Sequence, residues 1–201
     1  MRILVVGATG TIGKAVVAAL SSRHEVISAS HNRAAERVDV SDINSIRALF
    51  ERVGKLDAIV SAAGSAKFAP LASLSDADFA YSIQNKLMGQ VNLVRLGMNA
   101  LNQGGSITLT SGILAQKPMP GSGAISLVNA GLEGFTRAAA LEASHGIRVN
   151  CVSPPWVSET LTSMGMDPKG GLPAAEVAKA YVESVEGSAS GRIFELAAPT
   201  T

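Results

Sequence analysis

Short apolar runs alternate along the chain with longer segments in which apolar positions recur every three to four residues. The runs are rich in β-branched side chains, and residues 3–6, Ile-Leu-Val-Val, are the first of them. Continuous apolar runs of this length are typical of strands buried on both faces of a parallel sheet. The predicted strands cover residues 3–6, 25–30, 37–40, 56–61, 106–111, 147–152 and 192–196, and the predicted helices residues 14–20, 42–53, 75–101, 124–143 and 173–185.

Strands that alternate with helices in this way predict an α/β fold. We expect a single domain over residues 1–201, built on one doubly wound parallel sheet of about seven strands with helices on both faces. The segment 156–172 carries three glycines and little periodicity, so it is predicted to be a mobile flap over a site.

A glycine turn joins the first predicted strand to the first predicted helix. Its sequence, residues 7–13, is Gly-Ala-Thr-Gly-Thr-Ile-Gly. Glycines permit a tight turn and a close backbone approach, and the free N–H groups at the start of a helix favour an anion. The alternative is a strand–helix turn without a ligand. The turn is predicted to bind the pyrophosphate of a dinucleotide through Gly7, Thr9, Gly10, Thr11, Ile12 and Gly13.

The residues after the second strand bear on the choice of dinucleotide. A site selective for NAD(H) usually places an acidic residue here to bond the ribose 2′-hydroxyl. In this chain residues 30–33 read Ser-His-Asn-Arg, and the first acidic residue after the second strand is Glu36. Ser30 and Arg33 could hold a 2′-phosphate instead, which predicts NADP(H) in preference to NAD(H). Arg33 could equally be a solvated loop residue. Asp39 is predicted either to bond the adenine amino group or to cap a strand end.

Composition excludes several classes of partner. Apolar residues make up 47% of the chain and charged residues 16%, with a net charge of +1, so there is no electrostatic reason to expect nucleic acid or a membrane surface. Arg2 leads directly into a strand without a separate signal segment, and no apolar run approaches the length of a membrane helix. The single cysteine, Cys151, falls in a predicted strand as a core residue. A cytoplasmic location is expected, and the three histidines lack the spacing of a metal site.

The order and spacing of several motifs resemble the short-chain dehydrogenase/reductase family over essentially the whole chain. The resemblance implies a Rossmann-type sheet, a nicotinamide cofactor, a small-molecule substrate, and homodimers or homotetramers built on the two long helices. Ala62, Ala63 and Gly64 lie at the carboxyl end of the fourth strand, where ligands bind in such sheets, so cofactor contacts are predicted there. The resemblance implies further contacts at Pro154, Trp156 and Val157 after the sixth strand. The motifs that carry it are Gly7–Gly13, Asp39–Val40, Ser61–Gly64, Gly105–Ser111, Leu132–Ala138 and Gly146–Pro154.

The catalytic residues of the family are only partly retained. Its chemistry uses a serine, a Y-x-x-x-K pair and often an asparagine, and the resemblance sets Ile125 and Asn129 at the tyrosine and lysine positions. It sets Ser111 beside the serine position and Lys86 at the asparagine position. Ser111, Lys86 or a water molecule is therefore expected to supply the proton, and Asn129 to bond the ribose as a neutral donor. The alternative for Lys86 is an ordinary surface lysine.

Two functions follow from this mixed pattern. The first is an NADP(H)-dependent oxidoreductase that acts on an unidentified small carbonyl compound or alcohol with an altered proton relay. The second is a catalytically inactive sensor or regulatory protein that binds NADP(H). An isomerase or lyase that uses the dinucleotide site for another ligand is a third reading. Trp156, Leu161, Met164 and Met166 in the flap suggest an apolar ligand, although such residues are more often packing residues.

Overall fold

The protein is described by a computed structural model, which covers residues 1–198. All seven strands of its sheet run parallel, in the order β3-β2-β1-β4-β5-β6-β7. This confirms the predicted α/β class and strand number. The strands are β1 Arg2–Val6, β2 Glu25–Ser30, β3 Glu36–Arg37, β4 Leu56–Ser61, β5 Leu101–Thr110, β6 Arg148–Ser153 and β7 Ile193–Glu195.

Helices cover both faces of the sheet, as predicted. One buried cluster joins α2, α4 and α5 to the sheet through residues such as Leu49, Leu93 and Leu132. A second cluster packs α1 and α7 on the other face through Val16 and Val177. The helices are α1 Thr11–Leu20, α2 Ile43–Val53, α3 Asp76–Ser82, α4 Gly89–Gly97, α5 Gly123–Glu142, α6 Ser158–Ser163 and α7 Ala174–Glu186.

The order of the strands places a crevice at the centre of the sheet. β1 pairs with β2 on one side and with β4 on the other, so the chain reverses its direction of winding between these two neighbours. In an open parallel sheet, a ligand binds outside the carboxyl ends of the strands at this switch point. Val6 is paired there with Ala29 and Ser61, and the glycine turn follows it directly.

The predicted third strand, residues 37–40, is wrong over most of its length. Only Glu36 and Arg37 pair with β2. The Asp39 carboxylate accepts hydrogen bonds from both the backbone N–H and the hydroxyl of Ser41, at 2.9 and 2.6 Å. A local side-chain turn of this kind competes with a β-ladder, and Val38 is buried in the core without belonging to the sheet.

The helix predicted over residues 75–101 is correct at its start and wrong at its end. It begins with a capping box between Ser75 and Asp78. A π-helical segment, Ile83–Met88, then separates α3 from α4, and α4 ends at Gly97. Leu101 already pairs with Leu56, so β5 begins five residues earlier than predicted. Leu101 continues the apolar period of the helix in the sequence, but in the structure it pairs with β4.

The predicted flap contains more secondary structure than its sequence indicates. Residues 156–172 include the short helix α6 and a 3₁₀ turn at Pro168–Gly170. An isolated bridge joins Val157 to Leu172, and the Glu159 carboxylate accepts a hydrogen bond from the Ala174 N–H at the start of α7. The mobility of this segment stays a prediction.

Many apolar residues of the two long helices belong to the core of this one chain. Leu93 and Leu132 are fully buried in it. Leu127 and Leu141 on α5 remain outside, with exposed fractions of 50% and 89%. Among residues 1–198, no helix combines the length and the apolar character that a membrane span requires.

Candidate active site

The glycine turn closes tightly against the end of β4. Gly7 has a φ of +85°, and a Cβ on it would lie 2.5 Å from the Ala62 carbonyl oxygen. A Cβ on Gly13 would lie 2.0 Å from the Gly7 carbonyl oxygen, so Gly13 lets α1 pack against the turn. No side chain caps α1 at Gly10. The first N–H groups of α1 are therefore available to an anion.

Two cavities of about 320 Å³ each meet at the carboxyl ends of β1 and β4. They share Ala62, Ala63 and Gly64, so one extended ligand can occupy both. The turn cavity is lined by Val6, Gly7, Thr9, Gly10, Ser30, His31, Val38, Asp39, Val40, Ser65 and Asn85. The lysine cavity is lined by Ile12, Lys86, Thr110, Ser111, Gly112, Ile113, Leu114, Ile125, Asn129, Pro154, Pro155, Trp156, Val157 and Thr160.

Most of the predicted cofactor residues line these two cavities, and three do not. Gly13 packs behind the turn, and Thr11 lines a separate depression beside Lys14. The Arg33 side chain is exposed and lines neither cavity, because the loop after β2 is held by a hydrogen bond from the Arg33 N–H to the Ser30 hydroxyl. Arg33 could reach a ligand only at the rim of the turn cavity.

The acidic residues near the turn cavity are both engaged. Glu36 forms an ion pair with Arg52, with 2.9 Å between Oε2 and Nε. The hydrogen bond from the Ser41 hydroxyl lowers the pKa of Asp39, whose side chain is half exposed. Asp39 thus caps a local turn beyond β3, and its second oxygen lies 3.9 Å from His31 Nε2. Because Asp39 also lines the turn cavity, the contact with adenine stays a prediction.

The π-helical segment carries Lys86 into the lysine cavity. The Lys86 Nζ donates to the Ser111 carbonyl oxygen at 3.2 Å, and desolvation lowers the pKa of its ammonium to about 8. A Cβ on Gly64 would lie 2.9 Å from the Lys86 Cα, so only glycine permits this approach. A single bond to the protein leaves two of the three ammonium protons for a ligand.

Ser111 lies at the back of the same cavity, one residue beyond β5. Its hydroxyl donates to Glu133 Oε1 at 2.8 Å, and the Gln116 side-chain amide donates to both oxygens of the same carboxyl group at 2.6 Å. Glu133 is only 6% exposed. Burial raises the pKa of the nearby Cys151 thiol to about 11, which keeps it protonated and unreactive.

Asn129 provides a test of whether a dinucleotide fits. Its Nδ2 donates to the Gly112 carbonyl oxygen at 3.4 Å, whereas its Oδ1 is buried and has no hydrogen-bond partner. A buried acceptor without a partner costs free energy, and a ribose hydroxyl would satisfy it. The glycine turn and Asn129 lie in the two joined cavities, so the residues present fit a dinucleotide. Ile125 lines the wall beside Asn129 and has no proton to exchange.

Sequence reasoning did not identify Glu133 or Gln116 as site residues. A signal for Glu133 was available, because Asn129, Glu133 and Thr136 lie at helical spacing on the face of α5 that buries Leu132. Polar residues are rarely buried without a partner, so three of them on a core-facing helix stripe indicate a polar site. Gln116 lies in a loop and carried no such pattern.

No group of three or more histidine, cysteine or acidic side chains capable of holding a metal ion occurs within residues 1–198.

Comparisons with known proteins agree with this architecture. A family model described as enoyl-(acyl carrier protein) reductase matches residues 8–186. The cis-4-hydroxycyclohexanecarboxylate dehydrogenase of Sinomonas cyclohexanicum is 32% identical over 176 residues, which cover 84% of this chain and 68% of that protein.

Solved structures are similar over nearly the full length. The crystal structure of the protein lin1944 from Listeria innocua has a TM-score of 0.94 at 41% identity, covering 98% of this chain and 100% of that one. A small-chain dehydrogenase crystallised in complex with NADPH has a TM-score of 0.87 at 28% identity, covering 98% and 96%. With the parallel sheet and the glycine turn, the family match shows that the chain belongs to the short-chain dehydrogenase/reductase family of oxidoreductases.

Proposed function

We propose that the protein is an NADP(H)-dependent oxidoreductase that interconverts a small, largely apolar carbonyl compound and its alcohol. The observation that carries this proposal is the position of the Lys86 ammonium and the Ser111 hydroxyl in one cavity, which continues into the cavity of the glycine turn. A similar protein crystallised with NADPH and a relative named as a dehydrogenase support the class of reaction.

The two cavities divide the binding of the cofactor. The glycine turn and the start of α1 would hold the pyrophosphate, and Asn129 Oδ1 would accept a hydrogen bond from the nicotinamide ribose. Pro154, Trp156 and Val157 would form the outer wall around the nicotinamide. When bound, the reduced cofactor supplies the hydride that reaches the carbonyl carbon.

Lys86 and Ser111 would act on the substrate oxygen. The Lys86 ammonium donates a hydrogen bond to that oxygen and stabilises the negative charge that develops on it. Its lowered pKa reflects a poorly hydrated site, in which such a charge interaction is stronger than in water. Ser111 exchanges the proton with the same oxygen. This relay differs from the tyrosine and lysine relay of the family and does not involve Ile125.

The preference for NADP(H) rests on the charges around the turn cavity. Glu36 is occupied by Arg52, and Asp39 is occupied in part by Ser41. His31 lines the cavity, and Arg33 lies exposed three residues beyond β2. A 2′-phosphate at this rim would meet two basic side chains, whereas a free 2′-hydroxyl would find Glu36 paired with Arg52 and, among the described residues, only one oxygen of Asp39 without a hydrogen bond.

The apolar character of the substrate rests on the other walls of the lysine cavity. Ile113, Leu114, Ile125 and Trp156 all line it. The Trp156 ring is held edge-on by Phe68, with 6.3 Å between the ring centroids. Within residues 1–198, Lys86 is the one charged side chain among the lining residues, and it is assigned to the reacting oxygen, so the rest of the substrate would contact mostly apolar groups.

Cofactor binding and turnover are tested separately. NADPH and NADH are titrated by cofactor fluorescence, and a panel of aldehydes, ketones and quinones is then assayed by loss of NADPH absorbance. We expect tighter binding of NADPH than of NADH, and turnover of apolar ketones or aldehydes. Equal or tighter binding of NADH would contradict the cofactor preference, and the absence of turnover with NADPH tightly bound would contradict the enzymatic activity.

A second candidate function is favoured by Ile125 alone. An aliphatic side chain lines the cavity at the position that the family resemblance gives to tyrosine. A protein that binds NADP(H) and reports its level to a partner would need no proton relay there. Tight NADPH binding, together with no turnover across the panel, is the result that this sensor predicts.

We also propose that the protein is a cytoplasmic homodimer or homotetramer. Leu127 and Leu141 lie exposed on α5, and burial of such side chains between subunits would remove apolar area from water. The single buried thiol of Cys151 suits a reducing compartment. Light scattering at micromolar protein concentration tests the assembly, and a monomer would contradict it.

A further inference from the structure

The carboxyl group of Glu133 is buried next to Ser111, which lines the lysine cavity. It is 6% exposed, and within residues 1–198 no lysine, arginine or histidine forms an ion pair with it. Its partners are the neutral donors Ser111 and Gln116. Both of its oxygens accept hydrogen bonds, which is the pattern of an ionised carboxylate. Burial of a carboxylate without a neighbouring cation costs free energy, so the presence of Glu133 at this place calls for an explanation.

Three groups at this place form a continuous path from the cavity to the surface. Ser111 lines the lysine cavity, and its hydroxyl is bonded to Glu133 Oε1 at 2.8 Å. Gln116 touches the same carboxylate and is itself exposed. The carboxylate therefore lies one side chain away from the cavity and one side chain away from solvent.

We propose that Glu133 is a positioning residue that orients the Ser111 hydroxyl and serves as the proton reservoir behind it, replacing the missing tyrosine relay of the active site. This inference rests on the proposed oxidoreductase function. Because the Ser111 proton points to Glu133, the lone pairs of the Ser111 oxygen are free to face the cavity. Ser111 then accepts a proton from an alcohol in the ground state and does not donate one to a carbonyl.

The proton steps balance in both directions. In alcohol oxidation the substrate O–H bond breaks, its proton goes to Ser111 Oγ, and the original Ser111 proton goes to Glu133 Oε1. The substrate hydride leaves to the oxidised cofactor. Glu133 later gives its proton to a water molecule that reaches the carboxyl group when the exposed Gln116 side chain moves aside. In carbonyl reduction the protonated Glu133 returns its proton to Ser111, and Ser111 gives one to the substrate alkoxide.

Other titratable groups face this path, and none can replace Glu133. The Lys86 ammonium approaches from the π-helical segment, but its hydrogen bond goes to the Ser111 backbone carbonyl, which cannot relay a proton. The Cys151 thiol approaches from β6, and burial raises its pKa to about 11. Near neutral pH the thiol keeps its proton, so Glu133 is the acceptor at the end of the path.

Three variants test the proposal. Glu133→Gln keeps the shape and one carbonyl oxygen as acceptor but cannot exchange a proton. Glu133→Asp keeps the carboxylate, and Glu142→Gln is the matched control on the exposed end of α5. We expect Glu133→Gln to lower kcat by about 10² or more and to flatten the pH profile of kcat, because a general acid–base contribution is lost. Glu133→Asp should restore part of kcat together with the pH dependence, and Glu142→Gln should match the wild type.

Controls separate a relay from a structural role. Thermal melting and NADPH affinity are measured for each variant, and we expect the Kd for NADPH to stay within about twofold of the wild type, since Glu133 lines neither cavity. Wild-type kcat and pH dependence in Glu133→Gln would overturn the proposal. So would an equal loss in Glu133→Gln and Glu133→Asp with an unchanged pH profile.

An infrared measurement tests the same group without turnover. Difference spectra of the cofactor-free protein on acidification should contain one carboxyl band that is absent from Glu133→Gln and reversible with pH. A Glu133 that never changes its protonation state over the pH range in which the protein stays folded would overturn the relay even if the enzyme is active. An inactive wild type that shows this reversible band would contradict the proposed function and leave the proton reservoir supported.

Discussion

The ammonium of Lys86 donates a hydrogen bond to the backbone carbonyl of Ser111 across 3.2 Å. This bond joins the π-helical segment to the loop after β5 and fixes the ammonium at the wall of the lysine cavity. Lys86→Met keeps the length of the side chain and removes the charge. We expect kcat/KM to fall by about 10² to 10³ with little change in NADPH affinity, since the lost interaction is made to the reacting oxygen. Steady-state kinetics with a fluorescence titration of NADPH measure both, and Lys117→Met in the exposed loop is the control.

The protonation of Lys86 predicts opposite effects of pH on activity and on stability. Burial lowers its pKa from 10.5 to about 8, so carbonyl reduction should decline as the pH rises through about 8. Between pH about 8 and 10.5 the unfolded chain binds more protons at this group than the folded chain, so the free energy of unfolding should rise with pH there. Urea midpoints measured across this window should rise relative to those of Lys86→Met. If the urea midpoints of the wild type and of Lys86→Met changed with pH in the same way, the lowered pKa of Lys86 would be contradicted.

Ser111 and Glu133 should behave as one unit. Ser111→Ala is expected to lower kcat by about tenfold or more, because the proton then has no group to reach from the cavity. The double variant with Glu133→Gln should be little worse than the more damaging single change, since residues that act in series are not additive. Steady-state kinetics of the four proteins give the coupling. Additive losses in kcat would show that the two side chains act independently.

Gly13 and Gly134 both lie in helices, but their replacement by alanine should have opposite effects on the protein. A methyl group at Gly13 would lie 2.0 Å from the Gly7 carbonyl oxygen, so Gly13→Ala must displace the turn and should weaken NADPH binding by more than about tenfold. Gly134 in α5 has no atom within 4 Å of an added methyl group. Gly134→Ala should keep cofactor affinity and stabilise the fold by about 0.5–1 kcal/mol, measured by urea unfolding. Unchanged NADPH affinity in Gly13→Ala would contradict the assigned role of the turn.

The exposed guanidinium of Arg33 should matter only for a phosphorylated ribose. Arg33→Ala is expected to weaken NADPH binding by about fivefold or more and to leave NADH binding unchanged, because one charge-assisted contact is lost. Arg47→Ala, on the exposed face of α2, is the matched loss of positive charge. Parallel titrations of both cofactors decide the matter. An equal effect on NADPH and NADH would place Arg33 outside the 2′-phosphate site.

The parts of the fold with continuous local signals could be predicted from sequence. Residues 56–61 form β4 as predicted, since their centre, Ala58-Ile59-Val60, is a continuous buried apolar run of the kind found in parallel strands. The helix predicted from residue 42 begins at Ile43 as α2, because the Asp42 side chain accepts a local capping bond from the Asn44 N–H. The end of α4 could not be predicted, because Leu101 is equally apolar in a helix and in a strand and only its pairing with Leu56 distinguishes them.

The part of the site that is built from one contiguous stretch of backbone could be predicted from the sequence. The part in which side chains from different strands, loops and helices meet could not. The glycine turn is a contiguous motif, and its position after β1 follows from the strand itself. The meeting of Ser111, Gln116 and Glu133 depends on the angle between β5 and α5, which no local pattern encodes. Arg33 was predicted to contact the cofactor because its charge and its position after β2 suit a 2′-phosphate. Its side chain nevertheless does not line the turn cavity.

The π-helical segment Ile83–Met88 divides one predicted helix into two halves with separate tasks. α4 beyond it packs Leu93 and Val94 into the core and is fixed by that packing. One extra residue in the helical ladder offsets the angular position of the preceding half relative to α4. Within the segment Lys86 lines the lysine cavity, whereas the next residue, Leu87, packs against the core. We therefore expect substitutions at Lys86 to alter the cavity and substitutions at Leu87 to alter the stability of the fold.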